Sequence, residues 1–205
     1  MKLKKGVRRF LIFILILLII ALGGIIYYFG FYNQGVKEVK IIKEIPEYGY
    51  KLKENESGLY KKTFQDLEKV LSKDEVDEEK YVELLSKLFI IDFFSLDNKI
   101  AKTDVGGVEF VEESILDNFV VNAKDTYYKY VENDLYGKRH QTLPEVTKVE
   151  IESVDKKEYQ YNDQTDSEAY HVKATWKYRH GKGYQAKATL IFVHKDKKLE
   201  LVELK

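Results

Sequence analysis

The sequence predicts an α+β protein with one transmembrane helix at the N-terminus, followed by three helices packed on a curved, four-stranded antiparallel sheet. Three observations lead to this prediction. An uncharged apolar run lies near the N-terminus, helical periodicity extends from residue 57 to about residue 135, and a period of two follows to the C-terminus. Helices followed by neighbouring strands are typical of α+β layers, in which the helices cover one face of the sheet.

The apolar run extends from Phe10 to Phe31, Tyr32 closes it, and it contains no charged residue. At about 1.5 Å per residue, a helix of this length spans the ~30 Å hydrocarbon core of a bilayer. A cleaved signal peptide usually has a shorter apolar region, of about 7–15 residues, before a cleavage site with small residues. The weak candidate for such a site, Ala21–Gly23, lies inside the run. We therefore interpret residues 10–32 as a signal anchor that crosses the membrane once.

Charges around this run predict its orientation. The basic tail, residues 1–9, carries five Lys and Arg residues and no acid. Such clusters remain in the cytoplasm, so we expect a cell-membrane protein with its N-terminus inside and its C-terminal domain outside. Expected partners are the lipid bilayer, through residues 10–32, and other membrane or envelope proteins. Oligomerisation is left open.

Composition excludes several classes of function. Without the five basic residues of the tail, 29 basic residues remain against 34 acidic ones, so the rest of the chain lacks the basic field that nucleic-acid binding needs. The absence of cysteine excludes disulfides, thiolate nucleophiles and cysteine-based zinc sites. The four histidines form no metal-binding pattern, and neither a nucleophile elbow nor a phosphate loop occurs. We expect no cofactor and no metal.

The exported part is predicted as a linker, residues 33–56, and one α+β domain, residues 57–205. A short strand is expected within the linker over Val39–Ile45. The first helix follows Ser57 as its N-cap, and its apolar residues recur with helical spacing at Tyr60, Phe64, Leu67 and Leu71.

The second predicted helix begins near Asp77 and ends in the apolar segment Phe89–Phe94, which should be the most buried part of the domain. A turn is expected at Thr103–Gly107. The third helix is predicted from Glu113 to Leu135, with Gly137 at its C-terminal stop. Its predicted apolar face consists of Ile115, Phe119, Ala123, Tyr127, Tyr130 and Val131.

Four antiparallel strands are predicted to complete the domain. The first covers Glu145–Val154, and a hairpin turn at His180–Gly183 joins the second strand to the third. The last, Leu199–Leu204, follows a turn at Lys195–Lys198. The second strand has an apolar face of Tyr170, Val172, Ala174, Trp176 and Tyr178. The third strand is expected to continue that face with Tyr184, Ala186, Ala188, Leu190 and Phe192.

This layout resembles the nuclear-transport-factor-like cone fold. In particular, it is similar to the single-pass assembly factor of bacterial type IV secretion systems and its Gram-positive conjugation relatives. The segments Leu88–Val111, Tyr127–Val131 and Ala188–His194 also resemble a group of uncharacterised single-pass membrane proteins of Gram-positive bacteria. The resemblance implies a cone-like domain behind one anchor and a role in an assembly, and it supplies no functional residues.

Asp92 is the most unusual residue of the sequence. It lies between Ile91 and Phe93 in the most apolar helical turn, where a carboxylate must be paired, hydrogen-bonded or protonated. A structural acid would pair with a Lys, Arg, His or Tyr side chain, or would bind backbone amides. The resemblance to cone-fold enzymes implies the other interpretation, in which a carboxylate inside the cavity acts as a base.

The aromatic residues Tyr170, Trp176, Tyr178 and Tyr184 could line a ligand cavity together with Asp92. Aromatic side chains on one face of a strand more often pack as core against a helix. A basic group on the opposite face could meet an acidic partner or be neutralised by Glu150 and Glu152. This group comprises Lys173, Lys177, Arg179 and Lys187.

Two hypotheses of function follow from the sequence. The first is a membrane-anchored, extracytoplasmic protein-interaction or scaffold module, part of an envelope or conjugation-type assembly. The alternative is a ligand-binding or enzymatic cone-fold domain that uses Asp92 in a tyrosine-lined cavity. An open polar pocket containing Asp92 would favour the alternative, whereas a filled apolar interior would favour the first.

Overall fold

The computed structural model describes residues 5–27 and 39–205, and the chain divides into two compact units, Met1–Lys37 and Glu38–Lys205. In the first unit, helix α1 (Lys5–Tyr27) exposes its side chains from residue 13 to residue 25. Within the described ranges, no helix meets the length and hydropathy that crossing a membrane requires. Residues 1–4 of the predicted basic tail, 28–32 of the predicted span and 33–38 of the predicted linker lie outside these ranges.

The C-terminal unit begins with an antiparallel hairpin of β1 (Ile41–Ile45) and β2 (Tyr50–Lys53). Strand β1 lies within the segment Val39–Ile45, where the sequence indicates a strand. The side chains of Tyr50 and Leu52 are buried, so alternate residues of β2 join the core.

Two capped helices follow the hairpin. Helix α2 (Gly58–Leu71) begins after Ser57, whose hydroxyl accepts a hydrogen bond from the Tyr60 N–H at 3.1 Å. Helix α3 (Glu78–Phe94) begins after Asp77, which accepts a hydrogen bond from the Lys80 N–H at 3.0 Å. The N-cap at Ser57 and the start of α3 near Asp77 agree with the sequence prediction. Every residue from 88 to 94 is buried, as expected for the apolar end of the second predicted helix.

Helix α4 (Glu113–Asp125) ends ten residues before the predicted boundary at Leu135, so the prediction was wrong about its C-terminus. The backbone leaves the helix because the next two aromatic residues turn toward the end of α3. The hydroxyls of Tyr127 and Tyr128 donate hydrogen bonds to backbone carbonyls at the end of α3, at 3.2 and 2.6 Å respectively.

Two further expectations about this region were also wrong. Tyr130 was placed on the apolar face of the helix, but it follows the helix and is 76% exposed. Gly137 does not end α4. It has a φ of 65° and closes a later turn, in which its N–H donates to the carbonyl of Asp134 at 2.9 Å.

The four remaining strands form one antiparallel sheet in the order β3 (Glu145–Tyr161), β4 (Gln164–Arg179), β5 (Lys187–Lys195) and β6 (Lys198–Leu204). The described residues therefore confirm the predicted α+β class, with helices and one four-stranded antiparallel sheet. The β3–β4 ladder is longer than predicted and is interrupted by three register shifts. Its two-residue turn, Asn162–Asp163, has positive φ at both positions, which suits a tight hairpin.

The junction between β4 and β5 differs from the prediction. Tyr184 and Ala186 were expected on the apolar face of a strand, but β5 begins only at Lys187, and Tyr184 is 37% exposed. The connection is longer because Gly181 packs closely against the side chain of Tyr178, which folds the loop over that ring. Pairing resumes after the loop, where the Trp176 N–H donates to the Ala186 carbonyl at 2.9 Å.

Aromatic side chains fill the space between the helices and the sheet. Helix α3 packs on β3 and β4, and the rings of Phe94 and Trp176 lie 4.4 Å apart. The ring of Phe119, on α4, lies 5.1 Å from that of Phe93. The predicted apolar residues of β4 from Tyr170 to Trp176 are buried in this layer. The core therefore lies along the C-terminal half of α3.

Candidate functional site

Asp92 lies in the last turn of α3 and is 4% exposed. One carboxylate oxygen accepts a hydrogen bond from the ammonium group of Lys99, which is 3% exposed. The other oxygen accepts from the Gly107 N–H at 2.7 Å. Both oxygens therefore have a donor, which agrees with the structural interpretation of Asp92.

The loop after α3 brings Lys99 back to Asp92. The guanidinium of Arg139 donates to the carbonyl oxygens of Lys99 and Asp97, both at 2.7 Å. The Leu96 N–H donates to the carbonyl oxygen of Pro144 at 2.8 Å. Because Arg139 presents several donors in a fixed plane, it holds this short loop in the position that the ion pair requires.

Two glycines close the other side of the carboxylate. A Cβ at Gly106 would overlap the carbonyl oxygen of Asp92, and Gly107 has a φ of 74°. The Gly106 N–H donates at 3.0 Å to the hydroxyl of Tyr128, which in turn donates to the Phe93 carbonyl. The predicted Thr103–Gly107 turn is thus part of the site, because only glycine permits this close approach.

The ion pair is charged at neutral pH. Burial raises the pKa of Asp92, but the nearby ammonium groups of Lys99 and Lys53 outweigh burial and lower it overall. Burial lowers the pKa of Lys99, but Asp92, Tyr128 and Glu56 together outweigh burial and raise it overall. The two shifts agree, since each describes the same attraction.

Two further carboxyl groups lie close to this pair. Burial, and then repulsion from Asp92, raise the pKa of Glu56 to about 7. Glu109 accepts hydrogen bonds from the Lys51 N–H and the Tyr60 hydroxyl, each at 3.0 Å. Burial raises the pKa of Glu109 to about 7 as well. We call Asp92, Lys99, Glu56 and Glu109 the Asp92 cluster.

A cavity of about 460 Å³ borders the cluster, and we call it the hairpin cavity. The β1–β2 hairpin, the loop after α3 and residues 133–135 form its walls. Its polar lining includes Lys53, Asn55, Glu56, Lys99 and Asp104. A second cavity, of about 80 Å³, shares Asn55 and Glu56 with it. Asp92 lines neither of these two cavities.

The predicted ligand-binding residues lie in three separate places. Asp92 is in the cluster described above. The hydroxyl of Tyr170 donates to Glu78 at 3.1 Å, and its ring lies 5.7 Å from that of His194. Trp176, Tyr178 and Tyr184 lie together, with successive ring centroids 6.5 and 6.2 Å apart. The structure thus brings three of the five residues together and does not place them around Asp92.

Sequence reasoning missed Lys99, Glu56, Glu109 and Arg139. The isolated acid Asp92 indicates that some cation must pair with it, but nothing in the sequence says which one. Glu56 stands in a short polar segment, and Glu109 stands between Val108 and Phe110. Neither segment is long enough to show a periodicity that would reveal burial.

Comparison with protein-family models, with curated proteins and with solved structures found no match to this chain.

Replacing one member of the ion pair should cost far more stability than replacing both. Asp92→Asn or Lys99→Met leaves an unpaired buried charge, so we expect each to lower the free energy of unfolding by roughly 3–5 kcal/mol. The double variant should lose less than either single variant, because it leaves no charge unpaired. Urea unfolding of the purified chain in detergent measures this double-mutant cycle.

The exposed pair Lys69–Asp66, at 2.9 Å, provides the matched control. Asp66→Asn should change the unfolding free energy by at most about 0.5 kcal/mol, since exposed pairs contribute little. An unchanged midpoint for Asp92→Asn would contradict the assignment of Asp92 to a buried ion pair.

The raised pKa values of Glu56 and Glu109 predict a loss of stability as pH rises. Each folded-state pKa, about 7, lies above the usual value of 4.5, so the folded state holds these protons more tightly. Their stabilising contribution is complete below about pH 4.5 and is lost as pH rises through 7. The loss is on the order of 1–3 kcal/mol for the buried Glu56.

Melting curves between pH 5 and 8 test this expectation. Glu56→Gln cannot ionise, so its melting temperature should fall less than that of the wild type over this range. Glu158→Gln, at an exposed position of β3, should follow the wild type. Identical pH profiles for Glu56→Gln and the wild type would show that Glu56 is not a protonated buried group.

Proposed function

We propose that this chain is a single-pass membrane protein whose C-terminal unit is an extracytoplasmic protein-interaction or scaffold module rather than an enzyme. Such a module would belong to an envelope or conjugation-type assembly. One observation carries the proposal. Asp92, the base that the enzymatic alternative requires, has both oxygens occupied by Lys99 and Gly107 and does not line the neighbouring cavities.

Aromatic packing between α3 and the sheet supports the same conclusion. Phe93, Phe94 and Trp176 are buried and pack against one another between helix and sheet, where a cone-fold enzyme would keep its substrate cavity. Ligand sites need concave space with converging polar groups. Tyr170 and Trp176, which were predicted for such a cavity, are buried and serve instead as packing, which favours a domain that acts through its surface.

We also propose that the helix–sheet layer has the nuclear-transport-factor-like cone architecture. The hydroxyl of Tyr159, on edge strand β3, donates to Glu203, on the opposite edge strand β6, at 2.6 Å. Strands lie about 4.8 Å apart, so the two edges of a flat four-stranded sheet would be separated by roughly 14 Å. A direct contact between them supports a strongly curved sheet.

The proposal of a membrane anchor rests on the sequence of residues 10–32, which extends past Tyr27, the last described residue of α1. This segment contains no charge, and basic residues precede it. Within α1, the exposed apolar side chains support the proposal, because a helix that is hydrophobic all round requires an apolar environment.

Labelling of single cysteines tests the anchor and its orientation, because the natural chain contains no cysteine. In cells without their wall, a membrane-impermeant maleimide should label Tyr130→Cys, since this position is exposed in the C-terminal unit. The same reagent should label Lys2→Cys only after lysis, because the basic tail stays inside. The reverse pattern would invert the orientation. A mature chain without residues 1–20 would replace the anchor by a signal peptide.

Photo-crosslinking in native membranes tests the interaction role. A photoreactive amino acid at Val121, on α4, or at Lys177, on β4, occupies exposed positions on different elements. We expect a discrete protein adduct from one of these positions and not from the other, since an interaction module presents a defined surface.

Reconstituted liposomes that contain only this chain are the control, and the adduct should be absent there unless the partner is a second copy. The double variant Asp92→Asn/Lys99→Met should give the same adduct in native membranes, because the role proposed here needs no acid or base. The absence of any discrete adduct from either position would contradict the interaction role.

A further inference from the structure

The hairpin cavity has two buried ionisable side chains in its wall, one acidic and one basic. Glu56 is 6% exposed and Lys99 is 3% exposed, and both line the cavity. Lys53 lines it as well, and its side chain forms no ion pair or hydrogen bond within residues 39–205. Buried charges that face a cavity are typical of sites that orient a polar ligand.

Hydrogen-bond acceptors in the same wall lack donors. The side-chain amide of Asn55 donates to the backbone carbonyl of Asn98 at 3.1 Å, which fixes the orientation of the amide group. The side-chain carbonyl oxygen of Asn55 is buried and has no partner. Glu56 accepts one hydrogen bond, from the Asn98 side chain at 3.3 Å. The Asn55 oxygen is enclosed by the protein, so Glu56 is the acceptor in this wall that has capacity for a further donor.

The charges in the wall restrict the ligand. A purely cationic ligand would be repelled by Lys53, and a purely anionic one by Asp104 and by the ionised form of Glu56. Ile41, Ile100 and Leu135 supply apolar surface beside these groups. The volume of about 460 Å³ lies within the range of roughly 300–1,000 Å³ that is usual for small-molecule sites.

We propose that the hairpin cavity binds a small zwitterion with an apolar side chain, such as an α-amino acid or a short peptide. The ligand's ammonium group donates to Glu56. Its carboxylate accepts from Lys53 and Lys99, and its side chain contacts Ile100 and Leu135. This binding site goes beyond the scaffold role and depends neither on the anchor nor on a protein partner.

The protonation of Glu56 links binding to pH. Its pKa is about 7 in the ligand-free chain, because of burial and the nearby Asp92. An ammonium group placed against the carboxyl would favour the ionised form, so binding near pH 7 releases a fraction of a proton. Water molecules alone in the cavity would cause no such release.

Isothermal titration calorimetry of the full chain in detergent tests the proposal. The probes are L-leucine, L-alanine, D-alanine and alanylalanine. For leucine, 4-methylpentanoate lacks the amine and 3-methylbutylamine lacks the carboxylate, so they are matched fragments. We expect at least one of the four probes to bind. If leucine binds, each fragment should bind at least about tenfold more weakly, since a fragment forms only half of the charged contacts.

Variants identify the site. Glu56→Gln and Lys53→Met should each weaken binding by roughly 10–100-fold, the usual effect of losing a hydrogen bond to a charged group. The controls Glu158→Gln and Lys62→Met change exposed residues elsewhere and should bind as the wild type does. Titration in buffers of different ionisation enthalpy should show proton release for the wild type and none for Glu56→Gln.

Three results would overturn the proposal. The first is that none of the four probes produces heat of binding or raises the melting temperature, which is the outcome for a cavity that holds water alone. The second is that a fragment binds as tightly as leucine. The third is that affinity is unchanged in both site variants while their melting curves show a folded domain. These experiments use the purified chain, so a failure here leaves the anchor and crosslinking results to decide the scaffold role separately.

Discussion

The buried ion pair of Asp92 and Lys99 joins parts of the chain that no regular secondary structure connects. Asp92 belongs to α3, Lys99 to the loop that follows, and Gly107 to the next turn, while Tyr128, after α4, binds that turn through Gly106. Each member satisfies a polar group that would otherwise be buried without a partner. The end of α3, the most apolar part of the domain, is thereby fixed to its surroundings by polar contacts as well as by packing.

Apolar residues of similar volume could fill the same space, and a buried ion pair is weak evidence of net stability. Its contribution here is geometric. The carboxylate accepts from donors in two directions, so the loop of Lys99 and the glycine turn can occupy only one arrangement around α3. The β1–β2 hairpin depends on that arrangement, because Glu109 binds the backbone of Lys51 in β2. The walls of the hairpin cavity therefore follow from the ion pair.

Local patterns in the sequence predicted the elements that interactions between neighbouring residues determine. Ser57 and Asp77 cap their helices through neighbours three residues away, and alternation along β4 identified the buried face. Features that depend on distant residues were missed. Helix α4 ends early because Tyr127 and Tyr128 bind carbonyl groups of α3, more than thirty residues earlier in the chain. For the same reason Asp92 could be recognised as an acid in need of a cation, but Lys99 could not be identified as that cation.

Edge strand β3 has a consequence for molecules that an anchor would hold at high density on one surface. A long, regular edge strand offers unpaired backbone groups to the next copy and promotes aggregation through edge-to-edge pairing. Three register shifts interrupt the ladder of β3, and Lys148, Lys156 and Lys157 lie along it. Irregular backbone and charged side chains of both signs make this edge a poor template for another strand. Neighbouring copies of the chain can thus come into contact along β3 without pairing their strands into a shared sheet.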